Sequence, residues 1–282
     1  MEQGLAARGT ALMAVLNATP DSFYDGGLYT SDERVCARID QLLAEGADLI
    51  DIGGESSRPT AKSVPAAEQI ARIEPAVRYA LAQGAVVSID TTDPLVAERM
   101  LTLGAHLIND ISCLANPELA RVCAAHDATL ILMHARGSMQ NMSGFSRYPD
   151  DAYGDVIADV LTEWRTARDR AVAQGLRREQ VWLDPGLGFA KNARHSFELL
   201  RGLDQLLREG VPVVVGASRK SFISAVDDVP PEKRLGGSIA AALLAVERGA
   251  SVLRVHDVHD VHQALLVARG IRRGLPSEAA HA

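Results

Sequence analysis

The sequence is poor in cysteine, in aromatic residues and in long apolar runs, and each shortage removes a class of protein. Its only cysteines are Cys36, Cys113 and Cys123. Their number is odd and no pair has CxxC spacing, so a disulfide framework or a cysteine-rich zinc site is not expected, and a reduced, cytoplasmic setting is. Nowhere do 18 apolar residues run together, and the opening MEQGLAARGT has no long apolar core. Neither membrane spanning nor export is therefore expected. Aromatic residues make up 4% of the chain, no basic run is interleaved with them, and Lys plus Arg (29) fall short of Asp plus Glu (36). The resulting formal charge of −7 speaks against a nucleic-acid surface. Any anionic ligand has to be met by a local cluster of donors.

What the chain does have is a repeat of apolar runs that each stop on polar residues. ALMAVLN ends at Asn17, LIDIGG passes through Asp51, VVSID ends at Asp90 and LIND ends on Asn109 and Asp110. TLILMH ends at His134, VWLD at Asp184, VPVVVGASRK on Ser218 to Lys220, and SVLRVHD on Arg254 to Asp257. Most are followed by a segment with helical spacing that closes on glycine before the next run. This is the sequence form of repeated βα units, and eight of them in 282 residues predict a (β/α)₈ TIM barrel formed as one domain over residues 1–282. At 47% hydrophobic and 23% charged, the composition suits a large buried core. In such a barrel the strand C-termini carry the active site, so the eight polar ends are candidate site residues.

The stretch VWLDPGLGFAK, Val181 to Lys191, is the sharpest of these. An apolar strand delivers Asp184, and Pro185, Gly186 and Gly188 keep the following backbone tight enough for a ligand to approach. Asp93 followed by Pro94 marks a helix start, which leaves Asp90 available for a ligand. Helices are also predicted from Thr30 to about Gly46, with Thr30 and Glu33 as a capping box, from Pro65 to about Gln83, from Asn116 and Pro117 onward, and over roughly 151–174, 194–209 and 233–248. Segments 17–27 and 135–149 read as loops able to cover a ligand, and 53–64, with Ser56, Ser57 and Arg58, as a loop whose donors suit a phosphate oxyanion. His256, His259 and His262 have a metal-like spacing of three, but the first leaves a strand and the others fall on the last helix, so they are not expected to share an ion.

Read as a set and in order, NATPDSFYDGG, DIGGESSRP, SIDT, INDI, DPGLGFAK, GASRKSF and RVHDV resemble the dihydropteroate synthase family across nearly the whole chain. That family's fold is a (β/α)₈ barrel. The resemblance implies condensation of 6-hydroxymethyl-7,8-dihydropterin pyrophosphate with 4-aminobenzoate to 7,8-dihydropteroate and pyrophosphate. Pyrophosphate leaves first and the arylamine then attacks a pterin methylene cation. Carried over by motif, Asp90, Asn109, Asp184, Lys220 and Phe189 line the pterin pocket. Ser57, Arg58, Arg254 and His256 hold pyrophosphate, and Asn17 holds a Mg²⁺ ion. Phe23, Pro59, Phe189 and Ser221 meet 4-aminobenzoate. Asp90, Lys220, Asn17, Arg254 and His256 are the expected catalytic set, and the resemblance also implies a homodimer.

The sequence departs from the family at three places. Ser57 stands where threonine is usual, Thr60 where glycine is common, and the loop after His134 lacks a proline before its Met-Gln pair. Three other readings compete with this one. A corrinoid-linked pterin methyltransferase should lack SRKSF and RVHDV, and a catalytically silent pterin-binding paralogue should keep Asp90, Asn109 and Asp184 but lose residues of the first two loops. A Schiff-base aldolase would use Lys220 and be trapped by borohydride.

Overall fold

The computed structural model describes residues 9–18, 31–55, 63–137 and 146–274. Eight parallel strands run in the order β6-β5-β4-β3-β2-β1-β8-β7. They are β1 Ala11–Asn17, β2 Leu49–Gly53, β3 Val86–Asp90, β4 Leu107–Asp110, β5 Thr129–Met133, β6 Val181–Asp184, β7 Val214–Val215 and β8 Val252–Val255. The seam between β6 and β7 is closed by one bridge, Leu183 to Val213, so the sheet curls into the predicted barrel. No helix among the described residues is long and apolar enough to cross a membrane.

Strand alternation sorts the side chains into two cores. Ile50, Ile52, Val87, Ile89, Ile108, Leu130, Leu132, Val181 and Leu183 face outward and pack with the helices. Ala11, Met13, Leu49, Leu107, Ile131, Trp182, Val214 and Val252 fill the barrel axis. Because the period is two, the next inward position toward the C-terminal end of each strand is set by this filling. Above Leu49, Leu107, Trp182 and Val252 lie Asp51, Asn109, Asp184 and Arg254, so the apolar plug ends where the polar mouth begins. Register keeps the mouth level: Asn17 lies opposite Gly53, Gly53 opposite Asp90, and Asp90 opposite Asn109.

The helices follow the predicted order. Those at Ser31–Ala44, Ala66–Ala82, Pro94–Thr102 and Glu118–Ala125 are where spacing places them, while Thr30 of the predicted capping box lies outside the described residues. Asp93 accepts from the Leu95 N–H, as its N-cap position requires. Gly46, Gly84, Gly104, Gly175, Gly210 and Gly249 all take positive φ at the turns between helix and strand. Two boundaries differ from expectation. The helix predicted over 151–174 is Val156–Ala173, because Asp155 accepts from the Ile157 and Ala158 N–H groups and so begins it. The helix predicted over 194–209 is broken into Ala193–Arg201 and Leu203–Leu207. At the break, Gly202 lies so close to Ile157 that a Cβ would sit 2.3 Å from its Cδ1.

Candidate active site

The inward residues at the ends of β2, β3, β4 and β8 form one network. Arg254 donates from Nε to Asp51 Oδ2 and from Nη2 to Asp90 Oδ2, both at 2.7 Å. Asn109 Nδ2 donates to the same Asp51 oxygen at 3.0 Å. Asp51 is wholly buried, so its charge is balanced by Arg254 or not at all. Burial lifts the Asp90 carboxyl above the usual carboxylate range; Arg254 pulls it back and Asp51 pushes it further up. The two carboxylates in turn keep the guanidinium charged against the opposing pull of burial.

Asp51, the polar residue of the second run, carried no expected role in the site. It sits inside an apolar run, and the signal that finds it is alternation: Leu49 faces the axis, so Asp51 must as well. Arg254, expected at a pyrophosphate, is held between two aspartates in the barrel mouth.

Across the mouth, β6 presents Asp184. Its Oδ1 accepts from the Gly186 N–H at 2.7 Å, and burial raises its carboxyl above the ordinary range. The turn depends on Gly186, which has φ +65° and whose Cβ, if present, would lie 2.0 Å from the His134 carbonyl oxygen. The loop then brings Phe189 under Lys220, with Nζ 3.9 Å from the ring centroid. Burial lowers the Lys220 ammonium below its ordinary value, and Asp184 opposes that shift. Ser221 donates to Ser146 Oγ at 2.8 Å, while the Ser146 N–H donates to the Gly188 carbonyl at 3.2 Å. The end of the 135–149 loop thus rests against both the Asp184 loop and the segment after Lys220.

Behind this floor lies a buried polar chain. Lys191, fully buried, donates to His134 Nδ1 at 2.8 Å, and His134 Nε2 lies 3.0 Å from Glu163 Oε2. Burial and Lys191 together lower His134 to about 4, while burial lowers Lys191 to about 7. His134, a candidate from its strand-end position, is fully buried and serves this chain.

At the rim, Asn17 is exposed at the end of β1 and His256 is exposed after β8, its Nδ1 3.1 Å from Ser218 Oγ. His262 Nδ1 instead faces the Glu45 carbonyl at 3.0 Å. Phe23, Ser57, Arg58, Pro59 and Thr60 lie outside the described residues. The ends of the second loop are tied together by Glu55, which accepts from the Val64 N–H at 3.3 Å and from Gln69 Nε2 at 2.9 Å. Among the described residues no three His, Cys, Asp or Glu side chains converge to cage a metal ion. A lone amide oxygen such as that of Asn17 suits an ion that takes most of its ligands from a phosphate and water.

Comparison with known proteins places this geometry. A family model described as pterin binding enzyme matches residues 13–256. The dihydropteroate synthase of Synechocystis sp. is 41% identical over 268 residues, covering 94% of this chain and 91% of that protein. Among solved structures, Xanthomonas albilineans dihydropteroate synthase with 4-aminobenzoic acid superposes with a TM-score of 0.84 at 38% identity, covering 95% of this chain and 94% of that one. The same organism's enzyme in complex with 7,8-dihydropteroate gives 0.82 at 36% identity, with 95% of each chain covered.

Proposed function

The chain belongs to the pterin-binding enzyme family as a dihydropteroate synthase, and from that premise we propose how its strand-end residues divide the work. The substrates are 6-hydroxymethyl-7,8-dihydropterin pyrophosphate and 4-aminobenzoate. The observation that carries the assignment of roles is the polar layer itself, in which Asp51, Asp90, Asn109, Asp184 and Arg254 succeed the apolar plug at the next inward positions.

Asp184 accepts the adjacent N–H donors of the pterin's aminopyrimidinone edge, one of its oxygens being steadied by Gly186. Asn109, oriented by Asp51, and Lys220, poised over Phe189, supply the complementary groups. The carbon–oxygen bond to pyrophosphate breaks with both electrons leaving on the pyrophosphate. Asp90 faces the methylene cation that remains. The arylamine lone pair then forms the new carbon–nitrogen bond, and the displaced N–H proton passes to solvent. The amine is already neutral and nucleophilic at pH 7, so positioning and electrostatics do the catalysis.

Ser57, Arg58 and His256 receive the pyrophosphate. Arg254 contributes from below while balancing Asp51 and Asp90. A Mg²⁺ ion held at Asn17 would neutralise charge on the leaving group. Phe23, Pro59, Phe189 and Ser221 form the 4-aminobenzoate side.

We also infer that the chain pairs with a second copy of itself. A groove of about 760 Å³ between the helices Ala193–Arg201 and Leu235–Glu247 is lined by Phe197, Phe222, Val226 and Leu244. Val226 is 78% exposed and Leu244 50%, apolar side chains that a second copy would cover.

The test of the reaction is direct. Purified protein given the pterin pyrophosphate and 4-aminobenzoate with Mg²⁺ should form 7,8-dihydropteroate and one pyrophosphate per turnover. No product in the presence of both substrates would refute it.

A further inference from the structure

Lys191 is a fully buried cation that the roles above leave unused. Its ammonium has three N–H groups and meets three acceptors: His134 Nδ1 at 2.8 Å, the Phe189 carbonyl at 3.0 Å and the His134 carbonyl at 3.2 Å. With Nδ1 accepting, His134 carries its proton on Nε2, toward Glu163, whose carboxylate is also gripped by Arg136. Every polar group in this chain therefore has a partner, from the half-exposed Glu163 to the underside of the site.

The loop that Lys191 anchors is under tension. Ala190, without the freedom of glycine, is held at φ +48°, and its carbonyl accepts from the Tyr153 hydroxyl at 2.9 Å. His134 binds the loop's other end, its N–H donating to the Asp184 carbonyl at 2.8 Å while its own carbonyl occupies the space a Cβ on Gly186 would need. Lys191 closes this arrangement by tying the Phe189 backbone to His134. A buried cation is an expensive tie, since an apolar side chain of similar length would fill the space without desolvating a charge. What the ammonium adds is direction, with three donors aimed at three fixed acceptors.

We propose that Lys191 is a positioning residue for the reaction: by fastening the Phe189 carbonyl to His134, it fixes the Asp184 carboxylate and the Phe189 ring on the substrate side of their loop. This rests on the reading that the mouth takes pterin and 4-aminobenzoate, with Phe189 bordering both.

The experiment compares wild type, Lys191→Met, Phe189→Ala and the double variant, measuring kcat, the KM for the arylamine substrate and the dissociation constant of the pterin. Lys191→Met should raise the arylamine KM about tenfold and weaken pterin binding. Because it acts through Phe189, the double variant should lose little more kcat/KM than the worse single variant, whereas independent effects would multiply. A role in stability alone predicts a lower Tm with wild-type kinetics in the folded fraction, and that result, or multiplicative effects, overturns the proposal. Should Lys191→Met not fold, Glu163→Gln at the exposed end of the chain decides. A two- to fivefold rise in the same KM supports the proposal, and an unchanged KM overturns it. Wild type run in the same assay keeps the two questions apart, since an inactive wild type would refute the reaction and not the role of Lys191.

Discussion

Asp184 has two oxygens with separate tasks, and Asp184→Asn divides them. The bond from the Gly186 N–H to Oδ1 survives in an asparagine, so the turn and the fold should hold. The other position becomes an NH₂ group facing ligand donors. A hydrogen bond to a charged acceptor is worth roughly 1.5 to 3 kcal/mol, so pterin affinity measured by calorimetry should fall at least about tenfold while Tm stays near wild type. Unchanged affinity in a folded variant would remove Asp184 from the pterin contacts. At this scale, residues that end an apolar run were legible: Asp90, Asn109, Asp184 and Lys220 stand where strand and loop meet. Asp51 was visible as a polar residue, but its role was hidden because it lies within its run and not at the end. The pairing of Arg254 with it was hidden as well, because the two are 203 residues apart in sequence and meet only when the barrel curls.

Turns show what one added methyl group costs in different surroundings. Gly84 and Gly186 both have positive φ, at +76° and +65°, but a Cβ on Gly84 would have nothing within 4 Å, while one on Gly186 would strike the His134 carbonyl. Gly84→Ala should therefore cost about 1 kcal/mol from backbone strain alone, lowering Tm by about 2–4 °C. Gly186→Ala should lower it further and take pterin affinity with it, because His134 and the Asp184 loop must part. Equal Tm losses, with pterin binding intact, would show that the contact with His134 is unimportant. Elements were legible as far as local signals carried them. Glycines at positive φ and the Asp93–Pro94 pair mark real helix ends, and Gly202 within 194–209 is a local signal for the break there, but the close approach of Ile157 that requires a glycine comes from another helix.

The whole molecule presents a groove with apolar side chains between the helices Ala193–Arg201 and Leu235–Glu247. If a second copy covers it, sedimentation equilibrium of wild type should give the mass of a dimer, and Val226→Asp with Leu244→Asp should give a monomer that keeps its helical circular dichroism. A monomeric wild type at assay concentration would refute the pairing. The barrel as a whole was legible because eight runs with polar ends recur at βα spacing; its closure through the lone Leu183–Val213 bridge was not, since β7 is only Val214–Val215. The level register of the mouth has a further consequence, for insertions and deletions. Asn17, Gly53, Asp90 and Asn109 share one rung, and faces alternate residue by residue. Losing one residue inside β3 below Asp90 would turn that carboxylate into the helical layer and bring Thr91 to its place at the mouth. Losing two would keep the face but move the site by a rung. Length changes are thus confined to the connecting loops, and within the strands the chain can vary in what it spells but not in how many letters it uses.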